Sequence, residues 1–392
     1  MAAEVILITA LVLLLWTYLG YPALVLILAA LKRNRRTENS EPEYNPDPVQ
    51  PSVSVLMSVY NEEKVIGEKV ASMLASDYPA SLTEFIIGSD GSTDETAGIL
   101  MGFAADDRRI TIIDDGQRRG KPAMLNDLAS AARGDILVIT DANVILTQGA
   151  LRHLAGGFRL PATGLCDATV MTGSSDDTGI TRQENFYGSF ETLLKRAEGD
   201  MWGAMPGPYG GCYAIRRELL PHLPENTLVD DLYVGLTVLR IGFRSVNIPE
   251  ALVYEDTQPE MRAQFRRRIR IAAGSFQNLF RFGLFPSGKL ASSFVFFSHK
   301  ILRWLSPLFL VLFFMTTVIL SGRSDFYFWM SAIQLIFIIL SALDLVLDRF
   351  GRKIILQRYI TQFLLMNAAL AAGFVKAIRG IKNGIWEPTK RV

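Results

Sequence analysis

Cysteine is nearly missing from this 392-residue chain: Cys166 and Cys212 are the two present, and neither sits in a paired metal-ligand spacing. Their scarcity excludes a disulfide-stapled scaffold, argues against zinc and fits a domain folded in a reducing compartment. Internal repeats and low-complexity tracts are lacking as well. So is an excess of charge of either sign: 40 Lys and Arg meet 39 Asp and Glu for a net charge of +1, and no nucleic-acid partner is expected. A secretory leader would place cations ahead of a short apolar core, whereas here Glu4 precedes the first apolar run and the cations follow it.

What the chain has in quantity is apolar sequence. It is 49% hydrophobic with a mean hydropathy of +0.24, and the apolar residues concentrate at the two ends. Residues 5–31 form an almost uncharged run long enough to span a bilayer, and the cluster Lys32-Arg33-Asn34-Arg35-Arg36 follows at once. Residues 1–36 therefore read as an uncleaved anchor, its N-terminus outside and its basic cluster in the cytoplasm. Residues 37–50, rich in Pro, Glu and Asn, read as a polar linker to a cytosolic domain over residues 51–258.

Within that domain, apolar runs end in polar turns. The runs at 53–59, 84–88 and 136–139 end in Tyr60-Asn61-Glu62-Glu63, Ser89-Asp90-Gly91-Ser92-Thr93-Asp94 and Thr140-Asp141-Ala142-Asn143. Their alternation with helix-like segments predicts a mostly parallel sheet with helices on its faces. Ligands of open α/β sheets bind at the carboxyl ends of strands, so Tyr60, Asp90 and Asp141 should converge on one crevice. Asp141 and Asn143 offer two oxygen ligands to a hard divalent cation, and Mg²⁺ is commonly held by one or two carboxylates completed by substrate phosphates. Gly120-Lys121-Pro122-Ala123 opens a helix whose lysine and free amides suit a diphosphate. Singly these are ordinary helix starts and turns; their order at strand ends gives the combination its meaning.

In these residues the chain resembles the membrane-bound family-2 glycosyltransferases of GT-A fold, the group of cellulose, hyaluronan and poly-N-acetylglucosamine synthases, from about residue 53 to residue 274 and again at the C-terminus. The resemblance implies a Rossmann-like, mostly parallel α/β GT-A domain flanked by transmembrane helices in the plasma (inner) membrane. It implies that Tyr60, Glu62 and Asp90, with Asn61 in the same turn, bind the uracil and ribose of a UDP-sugar. Lys121 would contact the diphosphate, and Asp141 and Asn143 would hold Mg²⁺ or Mn²⁺. Many members have aspartate at the second metal position, so Asn143 removes a negative charge and is expected to weaken metal binding in the absence of nucleotide.

Leu228-Val229-Asp230-Asp231-Leu232 precedes a helix, and its adjacent acids are candidates for proton chemistry, or one of them caps the helix. The segment matches the family's Thr-Glu-Asp motif, whose last residue is the general base; that position is Asp231, with Asp230 beside it. Such a base deprotonates the acceptor hydroxyl as it attacks opposite the departing UDP, which inverts the anomeric carbon and turns an α-linked donor into a β-glycoside. Gly210 and Gly211 admit close backbone approach and are expected at the acceptor sugar. Phe265, Ile269, Ala272, Phe276 and Leu279 mark one face of an amphipathic helix expected on a membrane surface. Another face presents Arg267, Arg270 and Gly274. Aligned on that glycine, residues 267–271 occupy the place of the family's Gln-x-x-Arg-Trp motif, which would carry Arg267 and Arg270 to the nucleotide sugar. Ile271 stands where processive members rest the acceptor sugar on tryptophan.

Residues 259–304 are expected to be amphipathic and interfacial, with His299, Lys300 and Arg303 beside three phenylalanines. Segments 305–320, 326–347 and 354–375 are spanning candidates within a C-terminal region over 305–376, and Asp344 is placed at the cytoplasmic edge. Three such crossings would put Lys376, Arg379 and Lys382 outside, against the positive-inside rule. The tail, 377–392, instead resembles in Trp386-Glu387-Pro388-Thr389 the Trp-x-x-Thr gating loop of related synthases, which requires a cytoplasmic tail with Trp386 and Thr389 at the donor. The expected function is elongation of a β-linked polysaccharide from a UDP-sugar, with a glycan or lipid-linked acceptor and membrane lipids as partners. Single transfer to a lipid acceptor, and a non-catalytic membrane subunit of the same fold, are the alternatives.

Overall fold

The computed structural model describes residues 1–36, 50–114, 116–172, 179–255, 261–348, 350 and 355–385; the expected linker lies almost wholly, and Trp386 and Thr389 wholly, outside them. Eight strands form one sheet: β1 (Val53–Val59), β2 (Thr83–Ser89), β3 (Ile110–Asp114), β4 (Ile136–Thr140), β5 (Val144–Leu146), β6 (Thr163–Thr172), β7 (Cys212–Arg216) and β8 (Arg244–Glu255), in the order β3-β2-β1-β4-β7-β6-β8-β5. The β3-β2-β1-β4 half is parallel, as the alternation of runs predicts. Beyond β4 the sheet is mixed, with β7 antiparallel to both neighbours and β5 antiparallel to β8.

Alternate residues of β1 face opposite layers. Val53, Val55, Met57 and Val59 enter one apolar cluster and Leu56 the other, as the two-residue period of a strand requires. Burial on both faces explains why β1 and β4 read as continuous apolar runs; each such side chain contributes about 1.5–3 kcal/mol relative to exposure. Eight helices run from the N-terminus through this domain: α1 (Ala2–Leu15), α2 (Tyr21–Arg36), α3 (Ile66–Leu74), α4 (Thr96–Asp106), α5 (Lys121–Ala131), α6 (Ala150–Gly156), α7 (Gly179–Trp202) and α8 (Asp230–Arg240). α3, α4 and α6 cover one sheet face and α5 and α8 the other. The crevice lies where β1 connects toward β2 on one side and abuts β4 on the other, the switch point at which ligands of such sheets sit.

Six further helices follow: α9 (Met261–Phe282), α10 (Leu290–Val295), α11 (Leu302–Trp304), α12 (Ser306–Leu320), α13 (Asp325–Asp348) and α14 (Ile355–Ile378). Three helices, over Ala2–Lys32, Asp325–Asp348 and Gln357–Ile378, are long and apolar enough to cross a membrane, and Leu290–Trp304 meets Ser306–Leu320 at a bend of 56°. α12 lies against α1, with Arg323 3.7 Å from Glu4 at the end far from the sheet domain. At the near end Lys32 donates to the Asp200 carbonyl at 2.7 Å. α13 returns beside α12, joined by Gln334 donating to Thr317 at 3.0 Å.

α14 does not reach the far end. Arg358, near its start, lies 3.9 Å from Asp344 and pairs with Asp348, where α13 finishes. In mid-helix Asn367 accepts from Ser306 at the start of α12, and the chain after it reaches Asn226 of the sheet domain. Both ends therefore lie on the sheet-domain side, so of the three C-terminal segments expected to span, α12 and α13 form the antiparallel pair and α14 runs along their near end.

α14 also covers the apolar face of α9. Gly373 packs against Ala272 too closely to admit a side chain, and the Phe276 ring lies 5.0 Å from Phe374 and 6.2 Å from Trp304. That face, expected on lipid, is largely buried in protein because α14 supplies complementary apolar area. The cations of the α10–α11 segment also turn inward. His299, 1% exposed, lies 2.7 Å from Glu198 and 3.1 Å from Glu191 of α7, while Lys300 and Arg303 reach Glu191 at 2.6 and 2.7 Å. Tyr21 of α2 donates to Glu198 at 2.6 Å. Burial works against charge on Glu191, but His299, Lys300 and Arg303 outweigh it and hold its carboxyl well below the usual range.

Candidate active site

The turns after β1 and β2 are stitched together. Asn61 accepts from the Thr93 amide at 2.8 Å, and the Glu62 amide donates to Thr96 at the same distance. Among the described residues Asn61 is the non-glycine with positive φ, at 53°, a conformation that asparagine tolerates and that marks a position held by its surroundings. Its structural effect is to fix Tyr60, over whose ring the Arg118 guanidinium stacks at 3.7 Å.

Asp90, 4% exposed, accepts from the backbone amides of Arg119 at 2.7 Å and Gly120 at 2.9 Å. Its carboxylate thus braces the loop that opens α5, a contact that its place at the end of β2 did not reveal. Gly91, with φ at 69°, leaves room for that loop, since a Cβ there would meet the Arg118 amide at 2.9 Å. The brace delivers Lys121, whose ammonium lies 2.8 Å from Asp141 and 3.5 Å from Asp230. Burial opposes its charge, but Asp141, Asp230 and Asp231 overcome that and raise its pKa.

Asp230 and Asp231 open α8. One Asp230 oxygen is buried without a hydrogen-bond partner, and Asp231 is pushed up to about 6 by burial and by Asp230, against the pull of Lys121. Gly210 is what gives Asp231 space, because a Cβ on it would lie 2.9 Å from Oδ2. Gly211 instead turns its carbonyl to the Asp141 amide and the Thr140 hydroxyl, both at 3.0 Å. Arg270 joins the same group: burial and Arg267 lower its pKa, while Asp230, Asp141 and Asp231 oppose them. Arg267 lies 3.5 Å from Glu255. Gly274 brings α9 against Leu228 and Val229 with no room for a side chain, and Gln277, Asn278 and Arg281 bond to residues 226–229, just ahead of the two acids. The chain after α14 closes the group. Ile381 accepts from Asn226 at 3.1 Å, and a Cβ on Gly120 would lie 3.4 Å from Gly384 and Ile385.

The donor set around Asp141 suits a hard cation. Asp141 is open, its side chain 38% exposed, and Asn143 donates through its amide nitrogen to Glu255, turning its carbonyl oxygen away from that partner. No cluster of three or more His, Cys, Asp or Glu side chains able to hold a metal occurs among the described residues.

Two neighbours escaped the sequence reading. Lys69, 0% exposed, donates to the Thr140 hydroxyl at 2.8 Å and to the Val144 carbonyl, bracketing the loop that carries Asp141 and Asn143. Burial lowers it to about 8. A lysine among Ile66, Val70 and Met73 on the inward stripe of α3 was its signal. Glu255, followed at once by Asp256 in the sequence, gave none.

Residues 54–223 match the profile of Glycosyl transferase family 2. Among curated proteins the chain is similar to an N-acetylglucosaminyltransferase of Rhizobium meliloti (23% identical over 59% of this chain and 57% of that protein), a probable glycosyltransferase, YdaM, of Bacillus subtilis (25%, 67% and 64%) and a beta-monoglucosyldiacylglycerol synthase of Synechocystis (30%, 58% and 48%). The match thus spans about half to under two thirds of these relatives. Among solved structures it resembles the mannosyltransferase PcManGT of Pyrobaculum calidifontis, in complex with GDP-Man and Mn²⁺, with a TM-score of 0.71, 23% identity and coverage of 96% of this chain and 99% of that one. Residues 54–223 thus resemble glycosyl transferase family 2, and the sheet with its switch-point crevice has a GT-A-like fold.

Proposed function

We propose that the protein transfers a sugar from a UDP-sugar to an acceptor hydroxyl with inversion, its sheet domain at the cytosolic face of the plasma (inner) membrane. The observation that carries this reading is the meeting of Lys121, Asp141, Asp230 and Asp231 at the strand ends, with Asp231 set at about 6. Tyr60 and Arg118 take the base, and Lys121 with the first amides of α5 takes the diphosphate. Asp231, ionised at neutral pH yet more basic than an ordinary carboxylate, accepts the acceptor proton in the space that Gly210 leaves. Asp141 and the carbonyl of Asn143 would hold Mg²⁺ or Mn²⁺, which would neutralise charge on the departing diphosphate. Gly384 and Ile385 lie against Gly120, which supports a role for Trp386 and Thr389 in closing over the donor.

The resemblance to polysaccharide synthases supports elongation of a β-linked glycan, coupled to its export, as the activity. A second reading, single transfer to a lipid acceptor, is favoured by Ile271, 39% exposed where stacking tryptophan would be, and by similarity to a protein named as a glucosyldiacylglycerol synthase. The test is release of nucleoside diphosphate by the purified protein in lipid nanodiscs. UDP-glucose, UDP-N-acetylglucosamine, UDP-galactose and GDP-mannose are each supplied with Mg²⁺ or Mn²⁺. Release from one UDP-sugar is expected. Release from GDP-mannose alone overturns the choice of base, and none from any donor overturns the transferase reading. Product length with labelled donor separates elongation from single transfer.

A further inference from the structure

Asn143 lacks the charge that an aspartate would bring to the cation site, yet a carboxylate stands directly beside it. β5 pairs with β8 so that Val144 faces Glu255, which sets the Glu255 side chain against the residue before Val144. Asn143 Nδ2 donates to Glu255 Oε1 at 3.0 Å, and the Tyr209 hydroxyl donates to Oε2 at 2.5 Å. Arg267 lies 3.5 Å from Oε1, and the Glu255 side chain is 13% exposed. Three partners from three parts of the chain thus hold one carboxylate, at the end of β8, against the loop that carries Asp141.

We propose that Glu255 is a positioning residue of the cation and diphosphate subsite, carrying the negative charge missing at position 143 and fixing the Asn143 amide with its oxygen available to a divalent cation. The inference rests on the transferase reading above. Its physical basis is that hard cations bind according to ligand charge, and that carboxylates hydrogen-bonded to the ligands orient them and strengthen binding. Charge and orientation separate experimentally. Glu255→Gln keeps the shape and an acceptor oxygen but removes the charge, and Asn143→Asp can restore the charge at the side chain hydrogen-bonded to it.

The experiment measures Mn²⁺ affinity by electron paramagnetic resonance, with UDP and with GDP, for wild type, Glu255→Gln and the double variant Asn143→Asp/Glu255→Gln. Melting temperatures confirm folding. The expected result is about 10- to 100-fold weaker Mn²⁺ binding in Glu255→Gln, and recovery to within about 3-fold of wild type in the double variant, a non-additivity expected of residues in contact. A wild-type affinity in Glu255→Gln, or a double variant no better than Glu255→Gln, overturns the proposal. Failure of the transferase reading looks different: wild type itself would bind no Mn²⁺ with either nucleotide.

Discussion

The most consequential residue is Asp231, because its surroundings oppose its own ionisation. Burial and the neighbouring Asp230 push it up to about 6, so the folded state prefers the protonated form more than the unfolded chain does. Its stabilising contribution is fully present below the unfolded pKa and is lost as pH rises through about 6. Catalysis needs the opposite form. Turnover should therefore climb with pH through about 6 and level off above it, as read in a kcat/KM profile. Asp231→Asn should lower turnover by about 10²- to 10⁴-fold with UDP affinity nearly unchanged. At pH 8 it should melt above wild type, the gap closing toward pH 4. Near-normal turnover would move the base to Asp230.

Elements act by holding loops. Lys69 on α3 pins the turn between β4 and β5 from beneath, and an apolar side chain of similar length would fill the space without making those bonds. Lys69→Met should leave a folded protein with Mn²⁺ and UDP affinity lowered about 10- to 100-fold, measured by calorimetry; unchanged affinity would make the lysine a matter of folding alone. The segment after α14 is held at Gly384, where a Cβ would lie 2.6 Å from the Glu225 carbonyl. Gly384→Val should displace the tail, reducing turnover while preserving membrane insertion, because a closing segment excludes water and completes a site. Truncation after Lys382 should act in the same direction and further.

At the scale of the whole molecule, α14 is long and apolar enough to cross a membrane, yet it begins beside the end of α13 and its chain returns to the sheet domain. A Thr389→Cys variant should therefore resist a membrane-impermeant thiol reagent in intact cells; strong labelling would mean that α14 crosses. Glu191 ties the segment from α10 to α11 to α7 through His299, Lys300 and Arg303. Removing one partner of such a buried group costs about 3–5 kcal/mol, so Glu191→Ala should lower the melting temperature markedly. The apolar runs and the polar turns that end them were enough to predict the parallel half of the sheet and an N-terminal helix apolar enough to span a bilayer, because strand burial and apolar length are written in local order. Asp90 as a brace, the inward cations of residues 299–303, the course of α14 and the partnership of Glu255 with Asn143 arise between residues far apart in the chain. No periodicity encodes such contacts, since packing alone decides which charge meets which and which apolar face is covered by protein rather than lipid.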